Sequence, residues 1–280
     1  MNGGTMELTE NRLVDEARRE PVKNAFRLGW EFVERNRTLA LTTLAAFILL
    51  SLLELIPLLG MVAAVALGVF AQAVQIYVGR TLVNADTIGT FIASAEQTTF
   101  AAFMTRYQAP AFGAWLAWFV MGMGLFLLWM VLVFAVGIDP AVLEESATDE
   151  AQLIAFMEAM GITVIPVLVV GMLIAYVYPI AQGRVILSDT FGEAFKAVFS
   201  VFTPAVWQVA AKGEYFRFVF YLGLAFMGIA ALAMVVVMLL ILVPFLGPVV
   251  MVSLMAGLFY PAMMILGIAN VLALRIAVGD

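Results

Sequence analysis

Six stretches of this chain are apolar over about 20 residues, the length a helix needs to cross about 30 Å of hydrocarbon. They run roughly 38–57, 61–79, 109–137, 161–183, 216–243 and 247–274. A soluble core cannot absorb them. With 64% hydrophobic residues, 12% charged residues and a mean hydropathy of +1.06, the chain carries more apolar surface than one domain can hide from water. The expected fold is an all-α membrane protein of six transmembrane helices.

The first two stretches are separated only by Leu55-Ile56-Pro57-Leu58-Leu59-Gly60, and the last two by Leu242-Val243-Pro244-Phe245-Leu246-Gly247. Pro and Gly end one helix and allow a tight turn into the next, so each pair reads as a helical hairpin. The cations orient the spans. All 14 Lys and Arg fall before span one, between spans two and three, between spans four and five or at the edge of five, and after span six. The positive-inside rule places those segments, and both termini, in the cytoplasm of a cell with the protein in its cytoplasmic (inner) membrane. Residues 1–20 are expected to form a polar cytoplasmic segment and 21–280 a single six-helix membrane domain. The first 37 residues are too polar for a cleaved secretory signal, so the first span is expected to direct insertion.

The long loop on the other side, 138–160, contains Asp139, Glu144, Glu145, Asp149, Glu150 and Glu158 and no cation. Acids and bases balance elsewhere, so the net charge of −6 belongs to this outer cap. It has no EF-hand spacing, and a solvated helical cap is expected rather than a cation site.

The chain also resembles itself. Gly79-Arg80 followed by Asp86-Thr87-Ile88-Gly89 after span two matches Gly183-Arg184 followed by Asp189-Thr190-Phe191-Gly192 after span four. Asn24-Ala25-Phe26-Arg27 matches Glu193-Ala194-Phe195-Lys196. These matches imply three internal repeats, about 21–83, 86–187 and 189–275, each an interfacial amphipathic stretch followed by a hairpin, with the middle stretch near Ala102-Phe103. In 21–35, Pro21 suits a first helical turn, and Val22, Ala25, Phe26, Gly29, Trp30 and Val33 share one face. Asp189 with Thr190 is an expected N-cap for the later stretch. Such helices either lie in the cytoplasmic headgroup plane or pack on the ends of the spans.

Cysteine and histidine are both absent, which excludes disulfides, cysteine-ligated metals, thiol nucleophiles and the Ser-His-Asp arrangement. No phosphate-cradling loop, metalloprotease signature or nucleophile elbow is present. No enzyme activity, cofactor or metal is expected. Apart from Arg217 at a span's edge, Glu54 is the one formally charged residue within a span; it is a candidate for proton or cation coupling, or a solvated residue near the outer interface. Gln72, Gln75, Tyr77, Tyr176, Tyr178, Gln182 and Asn270 lie in the cytoplasmic halves of spans two, four and six. They would line a cavity if the repeats enclosed one, or join helices by hydrogen bonds.

The amphipathic helix, the hairpin with a hydrophobic-Pro turn and their repetition resemble poorly characterised multi-pass bacterial membrane families. They are also similar to the membrane domain attached to some glycerophosphodiester phosphodiesterases, whose catalytic domain has no counterpart here. The resemblance implies no site residue. Two functions are open: a non-catalytic protein that organises lipids or partners, and a small permease or channel with a pathway between the repeats, for which Glu54 is a candidate. The expected partners are the lipid bilayer and other membrane proteins or a second copy, and no nucleic acid.

Overall fold

The computed structural model describes residues 12–96, 98–136, 150–241 and 247–278. Among them are eleven α-helices and no strand: α1 (Arg12–Arg18), α2 (Pro21–Arg35), α3 (Arg37–Leu53), α4 (Leu59–Val83), α5 (Ile88–Glu96), α6 (Phe100–Val136), α7 (Glu150–Ile186), α8 (Phe191–Phe199), α9 (Pro204–Ala210), α10 (Gly213–Ile241) and α11 (Gly247–Val278). A short 3₁₀ turn, Ser200–Phe202, follows α8. The protein is an all-α membrane protein. Five helices are long and apolar enough to span a bilayer, and the bent pair α2 and α3 supplies a sixth candidate.

The long helices are apolar all round, which marks a helix surrounded by lipid or by other helices rather than by water. Large side chains such as Val131, Phe134, Met172 and Leu232 are accordingly exposed. Pro110, Pro166, Pro179 and Pro261 lie within helices, as proline does in membrane spans where neighbours satisfy the freed backbone.

The first span is shorter than its sequence suggested. α3 ends at Leu53 after 17 residues, about 26 Å at 1.5 Å per residue. The chain then turns through Pro57-Leu58-Leu59, where the Leu59 amide donates to the Pro57 carbonyl at 2.9 Å and Leu58 takes φ 69°. This is a γ-turn with positive φ, a strained form for a residue with a side chain. The matching turn of the last hairpin, at 242–246, lies outside the described residues.

Between α2 and α3 the axis bends by 98°. The break falls at buried Asn36, whose backbone N–H and Nδ2 both donate to the Phe32 carbonyl, at 3.1 and 3.0 Å, and so close the end of α2. α2 therefore runs across the bundle's end. Its buried face is Asn24, Ala25, Leu28, Gly29 and Phe32, rotated from the face that hydrophobicity suggested. Phe26 packs on Phe226 with ring centroids 5.9 Å apart, while Trp30 is exposed. Protein contact explains the rotation: a Cβ on Gly29 would meet the Ile265 side chain of α11 at 2.8 Å.

Thr87 and Thr190 start the short helices α5 and α8. The Thr90 amide donates to Thr87 Oγ1 at 3.2 Å, and the Glu193 amide to Thr190 Oγ1 at 3.2 Å, where Glu193 completes a capping box. Ala102-Phe103, expected in a separate interfacial helix, lies in the first turn of α6 with Phe103 buried. Of the acidic segment, 138–149 lies outside the described residues. From Glu150 onward the backbone is already helical, because 150–160 contains good helix formers and its single glycine-free run has nothing to stop it.

The core is a trio. α11 packs along both α4 and α7, and α4 touches α7. α3, α6 and α10 lie outside the trio, α3 against α4 and α11, α6 against α4 and α7, and α10 against α11.

A candidate intramembrane polar site

Small residues let the trio close. A Cβ on Gly267 would sit 2.7 Å from the Gln75 carbonyl oxygen, and one on Gly183 2.6 Å from that of Asn270, so backbone meets backbone at both points. Such approaches are how membrane helices gain packing that lipid cannot offer them.

At this level the polar side chains meet. Gln182 Nε2 of α7 donates to Gln72 Oε1 of α4 at 2.5 Å, and Gln182 Oε1 accepts from Trp118 Nε1 of α6 at 3.1 Å. Nearby, Gln75 Oε1 accepts from the Tyr178 hydroxyl and from Asn270 Nδ2, each at 3.1 Å, while its Nε2 contacts Met263 Sδ at 3.2 Å. The Trp118 and Tyr178 rings lie 5.0 Å apart. Four helices are joined by one cluster of formally uncharged groups. Asn270 Oδ1 is buried and has no hydrogen-bond partner among the described residues.

Of the candidates read from sequence, Gln72, Gln75, Tyr178, Gln182 and Asn270 are brought together. Tyr77 is not among them: it sits between the rings of Phe32, Phe103 and Tyr107. Tyr176 faces the other way, its hydroxyl donating to the Ala210 carbonyl and its own carbonyl accepting from Tyr215 at 2.7 Å. Glu54 directly follows α3 as its C-cap, is exposed, and lines a groove of about 460 Å³ between α3, α4 and α11. The groove reaches Ala71, one turn before Gln75 on α4, and Met263, which Gln75 contacts. Trp118 and Met263 were missed. A buried indole N–H usually finds an acceptor, a tendency that points to Trp118 although Trp129 on the same helix departs from it.

The cation-bearing ends of the helices form a second cluster. Arg80 Nε donates to the Ile186 carbonyl at 2.7 Å, another guanidinium N–H reaches the Ser188 carbonyl, and a third pairs with Asp189 at 2.7 Å. The guanidinium also stacks over Tyr107. Arg80 thus caps the C-terminus of α7, where basic groups meet the free carbonyls and the negative dipole end. Lys212 Nζ does the same for α11 at the Ala277 carbonyl, 2.9 Å away, and Arg275 pairs with Asp15 at 2.9 Å. The Lys23 ammonium, hydrogen-bonded at 2.5 Å, holds the Glu20 carboxyl below the usual carboxylate range.

The chain was compared with known proteins, and no protein family, no curated protein and no solved structure matches it.

Proposed function

We propose that this integral membrane protein is a non-catalytic scaffold of the cytoplasmic membrane, organising lipids or partner proteins with its base-rich end in the cytoplasmic headgroup layer. One observation carries it: the intramembrane Gln, Asn, Trp and Tyr side chains bond to one another, across the close-packed trio and to α6. A polar network joined in this way rigidifies a bundle. The shared start of α5 and α8 at Thr87 and Thr190, each followed by a pair of long helices, supports three repeated units at about 21–83, 86–187 and 189–275.

Flux measurement in sealed vesicles tests the scaffold directly. With pH-sensitive and cation-sensitive dyes inside, wild-type protein should leak no faster than protein-free vesicles. A wild-type flux that Glu54→Gln abolishes in folded protein would establish the second reading, a permease. That alternative draws on the groove running from Glu54 to Met263. Sidedness has its own test, because the chain has no native cysteine to interfere. Single cysteines at 20 and 278 should resist an impermeant label in intact cells, and one placed within 139–158 should react.

A further inference from the structure

At the base-rich end, α1, the start of α2, α10 and the end of α11 enclose a cleft of about 800 Å³. Its charged lining is Asp15, Arg18, Arg19, Glu20, Lys23, Glu214 and Arg217. All three acids are engaged: Asp15 with Arg275, Glu20 with Lys23, and Glu214 with Arg18 at 3.7 Å. Arg19 and Arg217 have no acid paired to them among the described residues, and both are exposed. The cleft therefore offers two uncompensated guanidinium groups to an anion, the group best suited to bidentate phosphate recognition.

The surface beside them is apolar. Arg217 begins a stripe at helical spacing on α10, continued by Tyr221, Leu224, Leu232 and Val235, all exposed. Between Leu224 and Leu232, Gly228 leaves open space where a Cβ would stand. From Arg217 to Val235 is 18 residues, about 27 Å along the axis, which runs from the headgroup layer through most of about 30 Å of hydrocarbon. Free phosphate would use only the cleft; a ligand with an anionic head and long acyl chains uses both.

We infer that the cleft at Arg19 and Arg217 and the adjoining α10 stripe form a binding site for an acidic phospholipid. Its phosphate lies against the two arginines and an acyl chain lies along Tyr221, Leu224 and Leu232. The inference names the lipid class for the proposed scaffold and rests on that reading for its placement in the membrane.

The test uses the full chain in neutral detergent, titrated with dioleoylphosphatidylglycerol or dioleoylphosphatidylcholine, with retained lipid counted by native mass spectrometry. Two arginines at an anionic headgroup should favour phosphatidylglycerol by about 30-fold. Arg19→Gln with Arg217→Gln should erase the preference, and the double Lys variant should restore part of it, which separates charge from folding. Lys196→Gln, an exposed base outside the cleft, should change nothing. Gly228→Trp should weaken retention of both lipids by obstructing the stripe. Equal retention of the two lipids by wild type, or an unchanged preference in the double Gln variant, would overturn the site. Displacement of the lipid by millimolar inorganic phosphate would also overturn it, showing a free-anion site instead. None of these outcomes depends on vesicle flux, so a permease could still hold the lipid and a scaffold could still lack it.

Discussion

Arg80, near the end of α4, donates to the carbonyl of Ile186 at the end of α7, 106 positions away in the chain. Two helix ends from different hairpins are thereby fastened by one guanidinium. Arg80→Gln should leave those carbonyls without their charged donor and cost about 1.5–3 kcal/mol, the usual range for hydrogen bonds to a charged group. Arg80→Lys should recover little, because an ammonium cannot reproduce the planar fork. Asp189→Asn should cost less than about 1 kcal/mol, since that partner is exposed. Unfolding in mixed dodecyl sulfate micelles would rank the three, and equal losses would show that the cap is not what Arg80 contributes.

Gln75 accepts from two donors at once, so its removal strands both. Gln75→Leu should cost about 1–3 kcal/mol by leaving the Tyr178 hydroxyl and the Asn270 amide unpaired in an apolar interior. Removing the partners as well, with Tyr178→Phe and Asn270→Leu, should return much of that loss. A triple variant whose loss equals the sum of the single losses would mean that these side chains do not act as a unit.

Gly267 and Gly228 provide a matched pair of substitutions. Alanine at 267 drives a methyl into the Gln75 backbone and should separate α4 from α11, at about 1–3 kcal/mol. Alanine at 228 meets nothing and should be neutral or stabilising by up to about 1 kcal/mol. Thermal unfolding of the two variants side by side checks the contrast.

Leu58 holds a positive φ in the turn between α3 and α4 while its side chain is 83% exposed. Left-handed backbone costs such a residue about 1–2 kcal/mol, and glycine's extra unfolded entropy cancels about 0.5–1 kcal/mol of the relief. Leu58→Gly should therefore raise stability slightly, and a measured loss would show that Leu58 makes an apolar contact in the membrane that outweighs its strain.

Local chemistry was legible in the sequence, and partner choice was not. Pro21, the Thr190 cap and the Pro57 turn each announce themselves within a few residues, because capping and turn formation involve only near neighbours. The shared depth of Gln72, Gln75, Tyr178, Gln182 and Asn270 in spans two, four and six was legible, and it allowed them to meet without requiring it. Their pairing did not follow, since it depends on how far each helix is rotated about its axis. The same limit explains α2: hydrophobicity marks Trp30 and Leu28 alike as apolar, and the way α2 packs on α11 leaves Leu28 buried and Trp30 exposed. Tyr77 and Tyr176 share the depth of the amide network but point away from it.

The side chains that tie the trio together and to α6, Gln72, Gln75, Trp118, Tyr178, Gln182 and Asn270, carry no formal charge. A membrane potential acts on displaced charge, at about 2.3 kcal/mol per elementary charge for each 100 mV. None of these six side chains brings a formal charge to the central joint for the electric field to displace. Through these side chains, the joint couples to the membrane potential by no formal charge.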